Sequence, residues 1–431
     1  MVSDIKRRDF IKLSSAGLVA SAGVAAGSGA AGAMVECTTP AAASTIVLTI
    51  TKTTVEMVDG VMVPMLAYQR GTAVSRVPGP VVRVREGEEV SITITNSRPE
   101  RHGFEITGIP GAAMTIEPGQ TCRVTFTAPV AGTYLYHDPS HPSRHLYRIL
   151  GLHGAFIVHP AANNGWSIDD AGKRCITPYS LNQLAPGDVD SGKNVSKVFE
   201  AFGTSPRFPG GKWVPCPIDQ EFSIQEKIWL FNEVDPRFNA LIRDNGINSS
   251  GFVADSDTLR ANFVPRYFTI NGRSGYDLSQ GEDVVVKNYI GEPTLIRTLN
   301  AGMNHHAAHI HGNHLFELAH SILTNDGFIP FMGSSRVGAP GEVVLHNNIW
   351  ERDVWPTWPM QIRDMLLPME VPPDIPNWAA HASGAAAEKF PLRYVMHDHC
   401  EMGTTAAGGN YPQGAVTHWE ILGPVGARAP A

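Results

Sequence analysis

The sequence predicts an all-β protein built from sandwiches of antiparallel sheets. Apolar and polar residues alternate over short stretches, as in VVRVREGEEVSITITNS from Val81 to Ser97, where a Gly-Glu turn separates two strands. The chain also contains 42 glycines and 32 prolines, which separate such strands with turns. No long amphipathic helix pattern competes with these strands. Together these observations favour the all-β class over a helical or mixed one.

Composition limits the domain number and the partners. The chain has 431 residues, of which 43% are hydrophobic and 17% charged, so it can bury a large core and form two or three domains. Its net charge is −7 and it has no long basic run after the first residues. Because nucleic-acid binding depends on a basic surface, we expect no nucleic-acid partner.

Residues 1–33 have the pattern of an export signal. Paired Arg7 and Arg8 precede a weakly apolar Ala/Gly/Val segment that ends in small residues at 31–33. This resembles a bacterial twin-arginine signal peptide, which implies a periplasmic or secreted protein whose mature form begins near Met34. A short membrane anchor is the alternative. No later segment has about 18 uninterrupted apolar residues, so we expect no stable membrane span in the mature form.

The five cysteines would then lie in an oxidising compartment. Cys175 with Cys216 is one candidate disulfide, although the pairing cannot be read from the sequence.

An internal repeat divides the rest of the chain. Gly87–Val90 opens a run that leads to His137-Asp138, and Gly281–Val284 opens another that leads to His397-Asp398. We therefore predict an N-terminal domain at 45–160 and a C-terminal domain with insertions at 219–425. Glycine, proline and polar residues are frequent between them, which indicates an irregular connection at 161–218. A degenerate middle domain is the alternative.

Two histidine pairs suggest a metal site. Residues i and i+2 of a strand point to the same face, so His309 can present its imidazole beside His311, and His397 beside His399. Four imidazoles suit copper, zinc, iron or nickel better than calcium or magnesium.

The same segments resemble a known family. HAAHIHG at 306–312 is similar to the HPxHLHG segment in the last cupredoxin domain of multicopper oxidases, and MHDH at 396–399 occupies the place of that family's terminal HCH. The order of motifs in the first domain agrees, and the resemblance covers about 47–160 and 263–423. It implies tandem cupredoxin-like Greek-key β-sandwiches and copper as the cofactor.

The resemblance also implies a set of ligands. His309, His311, His397 and His399 match ligands of the family's trinuclear cluster. The first domain supplies His102 and His137 at two more ligand positions, but Phe104 and Pro139 stand where two further histidines are expected. His141, His145 and His153 are close enough in sequence to substitute, although each has an ordinary turn or surface role as the alternative.

The mononuclear copper site departs further from the family pattern. His306 matches one ligand, but Asp398 replaces the cysteine and Gly403 replaces the next histidine. A carboxylate cannot reproduce the thiolate on which blue-copper electron transfer depends. We expect Asp398 to lie beside His306 as a hydrogen-bonded pair or a weak oxygen/nitrogen site. A shifted site that uses Cys400 with Met402 or His418 is the alternative.

Three functions are compatible with these residues. The first is a secreted copper oxidase that oxidises a small-molecule or metal-ion reductant with dioxygen as acceptor. The second is a non-catalytic copper-binding cupredoxin protein. The third is a copper nitrite-reductase-like enzyme, because YHDPSHPSRH at 136–145 is similar to the HCxP…H segment of that class. Two-domain relatives usually assemble as trimers, so the resemblance also implies a homotrimer.

Overall fold

The computed structural model describes residues 34–37, 46–160, 165–167, 174–176, 179, 226–243, 247, 255–321, 341–373, 375, 383–385 and 389–424. The predicted export signal, most of the predicted connection and Cys216 lie outside these residues.

Ten strands in two five-stranded sheets form the first sandwich. One sheet has the order β1-β8-β5-β2-β3 and the other the order β4-β10-β9-β6-β7. The strands are β1 (Met34–Glu36), β2 (Ile46–Glu56), β3 (Met62–Arg70), β4 (Val82–Arg85), β5 (Glu89–Asn96), β6 (His102–Ile106), β7 (Ala113–Ile116), β8 (Thr121–Thr127), β9 (Gly132–His137) and β10 (His153–His159).

A second sandwich follows a two-stranded sheet of β11 (Gly165–Ser167) and β12 (Arg174–Ile176). Its sheets have the orders β14-β13-β16-β21-β18-β19 and β15-β23-β22-β17-β20. The strands are β13 (Glu226–Val234), β14 (Tyr267–Ile270), β15 (Val286–Asn288), β16 (Thr294–Asn300), β17 (His306–Ile310), β18 (Leu315–Ser321), β19 (Val343–Arg352), β20 (Val354–Thr357), β21 (Ile362–Leu367), β22 (Leu392–Asp398) and β23 (Val416–Ile421).

The described helices are all short. They are α1 (Leu146–Ile149), α2 (Pro236–Arg243), α3 (Ser256–Asn262) and α4 (Gly275–Ser279). Among the residues described, none of these helices is long and apolar enough to cross a membrane.

The two sandwiches repeat one topology. The order β4-β10-β9-β6-β7 recurs as β15-β23-β22-β17-β20, and β3-β2-β5-β8 recurs as β14-β13-β16-β21. Each copy contains two parallel pairs, β2 with β5 and β4 with β10 in the first, and β13 with β16 and β15 with β23 in the second. The sheets are therefore mixed, whereas the strand alternation alone predicts antiparallel pairing. Strand β6 thus corresponds to β17, and β9 to β22.

Alternation of side chains buries one face of each sheet. On β5, Val90, Ile92 and Ile94 are fully buried while Glu89 is exposed. Burial of each such side chain contributes about 2 kcal/mol of hydrophobic free energy. A single apolar cluster includes Leu135 of β9 and Leu366 of β21, so the core continues from one sandwich into the other.

The second Gly-Glu run does not repeat the long strand of the first. Gly281–Val284 forms a turn, and only the three residues of β15 follow it as a strand.

Candidate metal centre

Two adjacent strands of one sheet of the second sandwich, β17 and β22, bring four histidines together. His309 of β17 lies directly opposite His397 of β22 in the antiparallel register, while His311 and His399 directly follow the two strand ends. The ring centroid of His309 is 4.7 Å from that of His311, 4.9 Å from that of His397 and 5.3 Å from that of His399. We call these four residues the histidine face.

The nitrogens of this face are spaced as metal ligands. One nitrogen each of His309, His311 and His397 lies within 4.8 Å of the other two, and Nε2 of His311 is 3.4 Å from Nε2 of His397. Nδ1 of His309 is buried and has no hydrogen-bond partner. Burial, followed by the charges of His311 and His397, lowers the pKa of His309, so its imidazole keeps a lone pair for a metal at neutral pH. The donor set fits a late first-row transition metal.

His311 and His399 are exposed, which leaves the outer side of the face open to solvent. A carboxylate lies at its margin, since Oδ2 of Asp353 is 3.7 Å from Nε2 of His309. Sequence reasoning missed Asp353 because it lies in the β19–β20 turn, and only the pairing of β20 with β17 brings it to the site.

His306 is held between two carboxylates. Its Nδ1 donates to Oδ2 of Asp398 at 2.6 Å and its Nε2 donates to Oε1 of Glu233 at 2.7 Å, while its ring stacks on Phe231. Desolvation opposes the charged form, but the hydrogen bonds to Asp398 and Glu233 raise the pKa of His306 to about 10. The expected contact with Asp398 is present.

The ligand role expected for His306 is therefore not supported by its surroundings, because both ring nitrogens are bonded to carboxylates. A Cβ at position 403 would overlap the carboxylate of Asp398, so Gly403 and Asp398 fit together in the space where the family has two ligands.

The first sandwich repeats this arrangement. Nδ1 of His102 donates to Oδ2 of Asp138 at 2.7 Å, and its Nε2 lies 3.7 Å from Oε2 of Glu100. Burial opposes the charged form, but the hydrogen bond to Asp138, followed by the nearby carboxylate of Glu100, raises the pKa of His102. The turn after each aspartate also matches, because the backbone N–H of Ser140 donates to Asp138 and that of Cys400 donates to Asp398.

His102 thus takes the strand position of His306, and its expected role as a cluster ligand stays a prediction. The register supports this alignment, since Glu105 lies opposite His137 where His309 lies opposite His397.

The other histidines of the first sandwich differ in their contacts, and buried Nδ1 of His137 and Nε2 of His153 have no hydrogen-bond partner among the described residues. His141 contacts the hydroxyl of Ser143 at 2.8 Å, and burial lowers its pKa to about 4. The ring nitrogens of His145 are flanked by the guanidinium groups of Arg148 and Arg260, at 3.4 and 3.1 Å.

His153 lies opposite His137 in the pairing of β9 with β10, and its Nδ1 donates to the backbone carbonyl of Arg148. Burial lowers the pKa of both rings, to about 4 for His153. Within the described residues, the sets of three closely spaced ligand atoms all lie in the second sandwich.

The surroundings of Cys400 and His418 do not favour the alternative site, which stays a prediction. Burial, with the charge of Asp398 second, raises the pKa of the Cys400 thiol to about 11, so the thiolate form is disfavoured. Nε2 of His418 donates to Oε1 of Glu420 at 2.9 Å.

A disulfide joins Cys37 to Cys122, linking the first described segment to β8. No sequence signal distinguished this pair from the other cysteines. The candidate pairing of Cys175 with Cys216 lies outside the described residues.

The chain was compared with known proteins. Residues 49–163 match the family model for multicopper oxidases. The chain is 35% identical over 91 residues to copper resistance protein A of Escherichia coli, covering 19% of this chain and 14% of that protein. It is also 35% identical over 91 residues to a copper-containing nitrite reductase of Alcaligenes xylosoxydans xylosoxydans, covering 20% and 28%. The chain therefore spans less than a third of the length of these relatives.

Among solved structures, the blue copper oxidase from Nitrosomonas europaea superposes with a TM-score of 0.53 at 19% identity, over 87% of this chain and 85% of that one. This likeness identifies the fold as a pair of cupredoxin-like sandwiches. Residues 49–163 thus match a multicopper oxidase domain, and the chain is similar over this part to copper oxidases and copper nitrite reductases.

Proposed function

We propose that this protein is a copper oxidoreductase in which the histidine face binds copper and couples oxidation of a small reductant to reduction of dioxygen. The observation that carries the proposal is the convergence of His309, His311 and His397, with an orphaned buried nitrogen on His309. The multicopper oxidase domain at 49–163 supports copper over other metals that imidazoles bind.

Bound copper would supply one-electron redox chemistry and a site for dioxygen. The chain contributes the geometry, because the β17–β22 pairing fixes His309 against His397. The exposed rings of His311 and His399 leave an open side through which a small reductant can approach. Asp353 stands at this margin and can accept a proton from, or donate one to, a bound molecule.

The reductant would have to act directly at this face. In both sandwiches a histidine–aspartate pair stands at the position where the resembled family has a thiolate-bound copper. Electrons would therefore pass from the reductant to the histidine face without that intermediate copper. We expect small molecules or metal ions to be better substrates than bulky ones, since they can reach the metal itself.

The decisive experiment measures copper and oxygen consumption together. Replacing His309 and His311 with alanine should remove most bound copper, measured by mass spectrometry, and abolish oxygen uptake with a panel of phenolic and metal-ion reductants. His418→Ala is the matched control, because it removes an imidazole that belongs to a Glu420 contact on β23. Unchanged copper in the double variant would contradict the proposal.

A non-catalytic copper-binding role is the second candidate. It is favoured by the two aspartates, Asp138 and Asp398, that stand in place of thiolate ligands. Full copper loading without oxygen uptake would support this role. The similarity to nitrite reductases adds a nitrite-consumption assay to the same panel.

We further propose export through the twin-arginine route and assembly as a homotrimer. Changing Arg7 and Arg8 to lysine should retain the protein in the cytoplasm, and normal export of that variant would refute the signal. The exposed side of the histidine face leaves room for a second copy, and light scattering of the mature protein gives the copy number directly.

A further inference from the structure

A second group of ligand atoms lies on the other sheet of the second sandwich. It consists of Glu317 and His320 on β18 and His346 on β19, and one ligand atom of each lies within 4.8 Å of the others. The histidine face is on the β17–β22 sheet, so the two groups share no residue and no strand.

A β-bulge creates this group. Residues three apart on a regular strand point to opposite faces, yet Glu317 and His320 both contact the ring of His346. The pairing of β18 with β19 and β21 shifts register between Glu317 and Ala319, which turns the two side chains to one side. Bulges of this kind re-aim side chains and occur often beside active sites.

The ligand atoms of these three side chains lie close together. Nε2 of His346 is 3.1 Å from Oε1 of Glu317 and 3.1 Å from Nδ1 of His320. Because the nitrogens of His320 and His346 face each other, only one of them can carry a hydrogen, and the guanidinium of Arg363 donates separately to Oε1 of Glu317.

We propose that Glu317, His320 and His346 bind a late first-row divalent metal ion. Two imidazoles and one carboxylate are an established donor set for such metals, and three protein ligands leave coordination positions open. A cation of this kind would take the place of the hydrogen between the two imidazoles. This inference does not depend on the function proposed for the histidine face.

The surrounding charges set the strength of the site. Arg352 and Arg363 both pair with Glu317. Two positive charges beside one carboxylate oppose a divalent cation. Removing one of these arginines should therefore increase the affinity for the metal. If the group served only to stabilise the fold, its removal would not increase that affinity.

The test uses Zn²⁺ as the probe in the mature His309→Ala/His311→Ala protein, where the histidine face is disabled. Calorimetry should detect one remaining Zn²⁺ site, and His320→Gln in that background should weaken it at least tenfold. Arg352→Gln should instead strengthen it severalfold. His305→Gln is the matched control and should leave the affinity unchanged, because the imidazole of His305 is exposed and packs against Trp358 with its ring tilted.

Circular dichroism and thermal melting of each variant establish that it is folded. Absence of a remaining Zn²⁺ site, or a site unaffected by His320→Gln, would overturn the inference. If the variants lowered the melting temperature and left the Zn²⁺ affinity unchanged, the inference would also be overturned. The group would then be an ion cluster with a structural role alone.

Discussion

At the scale of single residues, Asp398 stands where the family that the sequence resembles has a cysteine ligand. Its carboxylate is a hydrogen-bond partner of His306. Asp398 accepts from His306, and the backbone N–H groups of Ala307 and Cys400 donate to its other oxygen. This hydrogen bonding satisfies the buried carboxylate without a metal. Asp138 accepts from His102 in the same way, so both sandwiches contain a buried histidine–aspartate pair at this position.

The protonated state of His306 predicts a pH dependence. The pKa of an unperturbed histidine is about 6.5, and in the fold the pKa of His306 is raised to about 10. Its stabilising contribution is therefore complete below about pH 6.5 and is lost as pH rises through about 10, at no more than about 1.4 kcal/mol per pH unit. Urea unfolding of the wild type and His306→Gln should show a difference in free energy that narrows from pH 6.5 to 9.5.

His305→Gln provides the control, because this neighbour is exposed and its replacement should change stability by less than about 0.5 kcal/mol. Parallel stability curves for the wild type and His306→Gln would show that His306 does not carry the charge.

Residue spacing could predict the histidine face but not its surroundings. Alternation along a strand is a local rule, so His309 with His311 and His397 with His399 were identifiable as pairs. Glu233 is 73 positions from His306, and only the pairing of β13 with β16 in the opposite sheet accounts for its place. The strand position of His102 could not be predicted, because a single histidine in a motif does not reveal its register.

At the scale of elements, a neighbouring strand restrains the histidine face through a hydrogen bond to its backbone. The indole of Trp419 on β23 donates to the backbone carbonyl of His311 at 2.9 Å. His311 follows the end of β17, so this hydrogen bond restrains a residue that the strand ladder no longer fixes. Outer contacts of this kind orient ligands and alter metal affinity.

Trp419→Phe should therefore weaken copper binding by about tenfold, because it removes the donor and retains an aromatic ring. Competitive titration with a copper chelator measures this change. Trp355→Phe is the matched control, since this buried indole donates to the hydroxyl of Thr298. An equal loss of affinity in both variants would indicate a general packing effect.

The fold class was predictable because alternation and turn residues repeat along the chain. The parallel pairs were not, since β2 joins β5 across two intervening strands and no local pattern encodes that choice. The bulge in β18 was equally hidden, because Glu317 and His320 have spacing that on a regular strand would separate them.

At the scale of the whole molecule, a buried ionic network joins the two sandwiches. Arg297 donates to Oε2 of Glu226 at 2.9 Å, to Oδ2 of Asp364 at 3.3 Å and to the hydroxyl of Thr133 at 2.8 Å. Thr133 lies on β9 of the first sandwich and itself donates to Asp364. Desolvation raises the pKa of Asp364, so Arg297 offsets a carboxylate that burial disfavours.

Replacing Arg297 with methionine should destabilise the protein by about 3–5 kcal/mol, because it leaves the buried carboxylate of Asp364 without its cation and leaves Glu226 paired with Arg83 alone. Chemical denaturation measures the loss, and the variant should regain part of it below about pH 5 as Asp364 becomes protonated. Arg273→Met is the matched control, since Arg273 pairs with Asp283 where both side chains are partly exposed, and such pairs contribute less than about 1 kcal/mol. Equal effects of the two substitutions would mean that the network contributes no more to the free energy of unfolding than a surface ion pair. The shared apolar core alone would then hold the two sandwiches together.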